Sequence, residues 1–202
     1  MDGLGMVQVI GPKTQAVALA ARKDDERPVL KCVRFEEERM AATDGILLLY
    51  ATRETVPADK VRPQHRQDIC FSESIPAEVL TTAAKLAKKP KNGELPFDAL
   101  AYVSSTEASA HRDGDDHYLR FEAVPDEYPN FAAVIPSSPV ITGDIVLQHQ
   151  YLATIAKAAA KMGSSATVKL AITAQNELLI HIECGNTEDC VDGVMMGMRP
   201  NE

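Results

Sequence analysis

Residues 39–54 read "RMAATDGILLLYATRE", two strand-like runs on either side of a short turn. Asp44 and Gly45 supply the unusual backbone angles that a tight turn requires. Apolar residues dominate both flanks, as in strands that contribute to a core. The stretch therefore predicts two strands joined by a turn at residues 42–45.

A helix precedes this pair of strands, and the same order of elements recurs twice. The three predicted helices begin after Gly11 at Pro12, near Pro76 before a stop at Pro90, and near residue 148 before Gly163. A short strand precedes each helix and further strands follow it. The sequence thus predicts an α+β chain in which a β-α-β-β-β unit is written three times, with a period of roughly 65 residues. The clearest boundary is "SSP" at 137–139.

Charge is distributed unevenly along the 202 residues, whose formal net charge is -8. Residues 11–23, 79–93 and 148–162 contain no Asp or Glu, although the overall composition would place about six there. Two interpretations are open: the lysines solvate outer helix faces and complement helix dipoles, or the helices share a surface that faces a polyanion. The cations that the second interpretation assigns to this surface are Lys13, Arg22, Lys23, Lys85, Lys88, Lys89, Lys157 and Lys161.

Composition excludes several classes of protein. Tryptophan is absent and aromatic residues make up 5% of the chain, which argues against a stacking platform for single-stranded nucleic acid. The four cysteines form no C-x-x-C pair, so they are interpreted as reduced packing residues. No apolar run is long enough to cross a bilayer and the N-terminus lacks a signal pattern. We therefore expect a cytoplasmic protein with no membrane partner.

The segment "HRDGDDH" at 111–117 is the one cluster that resembles a metal site. Strand-like sequences flank it, and Asp-Gly is a favoured hairpin turn, so a plain hairpin is the main interpretation. Weak metal binding by His111 and His117 on paired strands is the alternative. No nucleophile setting or glycine-rich phosphate loop is recognisable. The sequence therefore predicts a protein that is not an enzyme and has no cofactor, metal site or catalytic residue.

Three segments resemble one known family. They are "MAATDGILLLYATR" at 40–53, "LRFEAVPDEYPNFAAVIP" at 119–136 and "VDGVMMGMRP" at 191–200. Their order and spacing resemble the bacterial DNA polymerase III beta subunit, the sliding clamp. One departure is Gly197, which stands where the family's C-terminal segment has proline.

The resemblance implies a fold and an assembly. In the family, two β-α-β-β-β units make a domain, helices line the inner wall of a ring around duplex DNA, and antiparallel sheets form the outside. By that division, residues 1–136 are one complete domain and residues 140–202 are half of another. A lone third unit would expose part of its helix, including Ile155 and Ala159. We therefore expect these two residues at the interface of a homo-oligomer, a dimer or larger.

The resemblance also implies a groove for short apolar peptides of DNA polymerases or other clamp-binding proteins. Methionine suits such a groove because its unbranched thioether adapts to different side chains. The groove residues implied by the family's pattern are Val134, Ile135, Pro136, Met196, Met198 and Arg199. The alternative is a buried edge strand that uses methionine as core filler.

Three functions follow, in order of preference. The first is a noncatalytic clamp-like protein that encircles or cradles duplex DNA and tethers replication or repair partners. The second is a ring-less adaptor or clamp competitor that keeps the peptide groove. The third is a metal-dependent enzyme that uses residues 111–117.

Overall fold

A computed structural model describes most of the chain. The described residues are 6–24, 27–63, 73–87, 101–112, 115–122, 124, 127–135, 147–173 and 177–196. Among them, no helix has both the length and the apolar run that crossing a bilayer requires.

Twelve strands and three helices lie in the described part of the chain. The helices are α1 (Pro12–Ala18), α2 (Ala77–Leu86) and α3 (His149–Met162). The strands before α2 are β1 (Met6–Gln8), β2 (Cys32–Phe35), β3 (Arg39–Thr43), β4 (Leu47–Thr52), β5 (Thr55–Pro57) and β6 (Ser74–Pro76). The strands after α2 are β7 (Ala101–Val103), β8 (Glu107–Arg112), β9 (Asp115–Arg120), β10 (Thr167–Ile172), β11 (Glu177–Cys184) and β12 (Asn186–Met196).

Seven strands form one antiparallel sheet in the order β10-β11-β12-β4-β3-β2-β6. A second sheet contains β7-β8-β9, and β1 pairs with β5. A bridge between Val9 and Tyr102 links the β1 segment to β7. The seven-stranded sheet therefore draws on all three predicted units: β6 from the second pairs with β2, and β12 from the third pairs with β4.

All three helices pack on one side of the sheets. A single buried cluster includes Val17 of α1, Leu80 of α2, Met162 of α3 and sheet residues such as Phe35 and Ile180. Burying a side chain of this size stabilises the fold by ~1.5–3 kcal/mol. The α+β class with antiparallel sheets, predicted from the sequence, is confirmed.

The structure places the helices close to their predicted positions, but two of them end early. Helix α2 ends at Leu86 rather than just before Pro90, and the following Ala87 is extended. Gly11 is the N-cap of α1, Pro12 opens that helix, and Gly163 follows the last residue of α3, as predicted. However, α1 ends at Ala18 rather than near residue 23, because residues 19–21 donate to carbonyls three positions back and tighten the chain into turns.

Ile155 and Ala159 do not form an exposed interface, contrary to the expectation. Both are buried in the main core of the same chain. The reason is that α3 packs against α1, while β12 continues the sheet through β4. The first unit of the chain thus covers the face that was expected to be open.

Candidate binding surfaces

A groove of about 650 Å³ lies on the side of the seven-stranded sheet that faces away from the helices. We call it the outer groove. It runs between β4, β12 and the segment 129–135. Its lining includes Leu30, Thr43, Ile46, Leu48, Phe131, Val134, Ile135, Glu177, Val194 and Met196.

The turn at 42–45 shapes one wall of the outer groove. The Asp44 carboxylate accepts hydrogen bonds from the backbone N–H groups of Ile46 and Leu47, both at 2.9 Å. Gly45 adopts a φ of +99°, in the left-handed region that favours glycine. The turn leaves the Ile46 side chain 44% exposed beside the groove. The predicted turn and the backbone role of Gly45 are confirmed, whereas Asp44 acts through the hydrogen bonds of its side chain.

Strand β12 forms the second wall, and its alternation separates two methionines. Met195 is 1% exposed and belongs to the main core, whereas Met196 is 64% exposed and lines the groove. The Met196 N–H donates to the Ile46 carbonyl at 3.3 Å, which joins the two walls. Since β12 lies between β11 and β4, it is not the edge strand of the alternative, although Met195 does fill the core as that alternative expected.

A short 3₁₀ turn at Phe131–Val134 forms the third wall. Phe131 and Tyr128 anchor it by packing in a small buried cluster with Leu30 and Leu48. Burial raises the pKa of the Tyr128 phenol well above its ordinary value, so this side chain stays neutral. Val134, at the end of the turn, is left 54% exposed.

The structure brings together three of the six residues expected in the groove, Val134, Ile135 and Met196. Pro136, Met198 and Arg199 lie outside the described residues. Sequence reasoning missed Ile46. Its position was a usable signal, because an apolar residue directly after a turn is often exposed to solvent.

The second candidate surface, which we call the helix face, is the exposed side of α1, α2 and α3. Helix α1 lies between the others and contacts both. The Lys161 ammonium of α3 reaches the Gln15 side chain of α1 at 3.4 Å. Within these three helices as bounded by the structure, Glu78 is the single acidic residue, because α2 begins two positions before the acid-free window.

The predicted cations are distributed unequally over the helix face. Lys23, Lys85, Lys157 and Lys161 are exposed. Arg22 forms an ion pair with Asp24 at 2.5 Å. Lys88 and Lys89 lie outside the described residues.

Lys13 does not belong to the helix face, contrary to the prediction. It is buried, its ammonium donates to Thr52 at 3.0 Å, and it lies 3.8 Å from the Asp189 carboxylate. Its place in the first turn of α1 directs it toward the sheet rather than toward solvent.

The hairpin interpretation of residues 111–117 agrees with the described strands β8 and β9. His111 faces Asp116 across the pair, and their side chains hydrogen-bond at 2.7 Å. His117 faces Ala110 and therefore points to the opposite face of the sheet. The two histidines thus lie on opposite faces of the sheet and do not form one metal site together. Residues 113–114 lie outside the described part.

Comparisons with solved structures identify the fold. No family model matches the chain, and no curated protein matches it. Among solved structures, the sliding clamp of Bacillus subtilis is 15% identical with a TM-score of 0.57, over 100% of this chain and 66% of that one. The Thermotoga maritima DNA polymerase III beta subunit is 11% identical with a TM-score of 0.60, over 97% and 65%.

A third solved structure is the Helicobacter pylori beta clamp bound to a DNA ligase peptide. It is 10% identical to this chain, with a TM-score of 0.50 over 99% of this chain and 67% of that one. The chain thus spans about two thirds of the length of the clamps that it resembles. At these identities the likeness establishes the fold, which is that of the sliding clamps.

Proposed function

Because the chain has the sliding-clamp fold, we propose that it is a noncatalytic, clamp-like protein of DNA replication or repair. In this proposal it holds duplex DNA against its helix face and binds partner peptides in its outer groove. The observation that carries the proposal is the convergence of three exposed apolar side chains, Ile46, Val134 and Met196, on one groove.

The outer groove suits a short peptide with apolar anchors. Its volume lies within the range of ligand pockets, roughly 300–1,000 Å³. Covering its exposed apolar side chains would gain about 25 cal/mol per Å² removed from water. Arg27 and Glu177 line the same groove and offer one charge of each sign to polar groups of the peptide. The proposed partners are DNA polymerases or other clamp-binding proteins that carry such a peptide.

Fluorescence polarisation tests the groove directly. The probes are short fluorescein-labelled peptides, each with a leucine and a phenylalanine as anchors. Met196→Glu should weaken binding at least about tenfold, because a carboxylate buried against the peptide would lose its hydration.

The control is Tyr118→Glu on β9, since Tyr118 is, like Met196, a large exposed hydrophobic residue of a strand but lies outside the groove lining. This variant should bind like the wild type. Equal loss in both variants, or none in Met196→Glu, would exclude the groove as the peptide site.

The helix face suits duplex DNA because exposed lysines dominate it. Lysines that contact phosphates bind without reading sequence, and their affinity falls steeply with salt. Triple reversal of Lys85, Lys157 and Lys161 to glutamate should therefore abolish duplex binding in a fluorescence anisotropy assay. The control reverses Arg39, Lys60 and Arg120, which gives the same net charge but changes exposed cations outside the three helices.

The two triple variants separate position from net charge. If both lose DNA to the same extent, the helix face has no special role. If neither variant nor the wild type binds DNA while peptide binding persists, the ring-less adaptor is the correct function.

Assembly into a homo-oligomer completes the proposal, with residues 1–136 as one clamp domain and 140–202 as half of another. Strand β10 is at the end of the seven-stranded sheet, so one of its edges carries no partner strand among the described residues. Its Val168 and Leu170 side chains are exposed, and so is Leu152 of α3. The proposed contact with a second copy therefore moves from Ile155 and Ala159 to this open edge.

A further inference from the structure

Strands β11 and β12 carry a cluster of metal-binding side chains on the face that also bears the outer groove. His181 lies directly opposite Asp192, and Glu183 lies opposite Cys190. The His181 Nδ1 atom lies 2.6 Å from the Asp192 carboxylate, and the Cys190 Sγ atom lies 4.0 Å from the same carboxylate. The ligand atoms of His181, Cys190 and Asp192 all lie within 4.8 Å of one another.

The strand register fixes this arrangement. Residues two apart on one strand point to the same face, and residues directly opposite on antiparallel strands bring their Cβ atoms ~4.5–5.5 Å apart. Cys190 and Asp192 are two apart on β12, and the pairing continues unbroken from Asp192 through Val194 to Met196. The three side chains are thus held by paired backbone rather than by a flexible loop.

Glu183 is close to the cluster but is already engaged. Its carboxylate accepts from the Lys169 ammonium at 2.8 Å and from the Thr167 hydroxyl at 3.2 Å, while the His181 Nε2 atom lies 3.3 Å away. It therefore orients the imidazole from the far side, as outer carboxylates commonly do for metal-bound histidines. The three side chains that remain as ligands offer one nitrogen, one sulfur and one oxygen.

We propose that His181, Cys190 and Asp192 bind a divalent transition metal ion of the zinc class. Zinc accepts imidazole, thiolate and carboxylate ligands at ~2.0–2.3 Å in tetrahedral geometry. Ligand atoms grouped as closely as these can reach that geometry by small side-chain rotations. Three protein ligands leave the fourth position to water. Magnesium and calcium, which prefer oxygen ligands, do not fit this set.

The proposed ion would stabilise the position of β12, the strand that forms one wall of the outer groove. Asp192 is two residues from Val194 and four from Met196, and both of these line the outer groove. A metal bridge from His181 to β12 would hold β11 and β12 together at this level. The metal site itself does not depend on peptide or DNA binding.

Cobalt(II) titration of the reduced, metal-free full chain tests the proposal. Cobalt replaces zinc in such sites, and its bond to a thiolate gives a near-ultraviolet absorption band. We expect this band to saturate at one cobalt per chain and to disappear when zinc is added. Cys190→Ser should abolish the band, whereas Cys184→Ser and Cys70→Ser should retain it.

Circular dichroism in the presence of a chelator checks that each variant is folded. If Cys190→Ser does not fold, His181→Gln serves instead and should abolish saturable binding. Absence of the thiolate–cobalt band in the wild type would overturn the proposal, and so would its persistence in Cys190→Ser. Either result would leave His181 and Asp192 as a hydrogen-bonded surface pair.

Discussion

At the scale of single residues, Glu54 shows how a distant side chain completes a local element. Its carboxylate accepts hydrogen bonds from the backbone N–H groups of Gly11, Lys13 and Thr14 at 2.8–3.1 Å, and from the Thr14 hydroxyl at 2.6 Å. These N–H groups belong to the N-terminal end of α1, where backbone N–H groups have no partner within the helix. A carboxylate at this end also complements the helix dipole.

Glu54→Ala should therefore destabilise the protein by about 1–3 kcal/mol, because several polar groups lose their partner at once. Urea unfolding followed by circular dichroism measures this change. The control is Glu37→Ala, an exposed glutamate for which we expect a change below about 0.5 kcal/mol. Equal effects of the two substitutions would show that the Glu54 cap contributes nothing to stability.

At the scale of elements, the pairing of β12 with β4 joins the third unit to the first. Gly193 lies at the centre of this pairing, opposite Leu49. A Cβ atom at residue 193 would lie 2.6 Å from the Leu48 carbonyl oxygen and 2.6 Å from a Leu49 methyl carbon. Only a residue without a side chain allows the two strands to approach this closely.

Gly193→Ala should therefore weaken the pairing of β12 with β4 and lower the free energy of unfolding by about 1–3 kcal/mol, which is typical of overpacking. Amide hydrogen exchange should show lower protection along β4 and β12. Gly45→Ala is the matched comparison, because a Cβ there meets no atom within 4 Å and the cost is backbone strain alone. Protection of β4 and β12 that is unchanged in Gly193→Ala would contradict the proposed role of this close approach.

The elements also show what the sequence could predict. The turn around Asp44 and the end of α3 at Gly163 depend on neighbouring residues, so local patterns were sufficient. The burial of Lys13 and Ile155 depends on β12 pairing with β4, across well over a hundred residues of chain. Periodicity within a helix identifies an apolar face but not which distant strand or helix covers it. The family resemblance of residues 191–200 implied Met196, but no segment that carried the resemblance pointed to its neighbour Ile46.

At the scale of the whole molecule, the proposed assembly depends on the open edge of β10. A two-fold axis through Leu170 would pair β10 with its copy and place Val168 opposite the partner's Ile172. Lys169 would then face Ala171, so no like charges would oppose each other. Such a pairing would cover the exposed Val168 and Leu170 side chains.

We expect sedimentation velocity at micromolar concentration to show at least a dimer. Leu170→Glu should shift it to monomer, because two carboxylates would meet at the axis. Thr167→Glu, on the opposite face of the same strand, should retain the dimer. A wild-type monomer would refute this assembly, although it would leave the outer groove intact.

Methionine methyl NMR shows whether the outer groove of this sliding-clamp fold binds a peptide. Met196 is exposed in the groove, whereas Met195 is buried on the opposite side of the same strand, so neighbouring residues serve as reporter and control. The methionine methyl groups of the protein are labelled, and an unlabelled peptide with leucine and phenylalanine anchors is added. The peptide should shift the methyl signal of Met196 and leave the methyl signals of Met195 and Met40 unchanged. A Met196 signal that stays fixed while the peptide binds would show that the peptide does not occupy the outer groove.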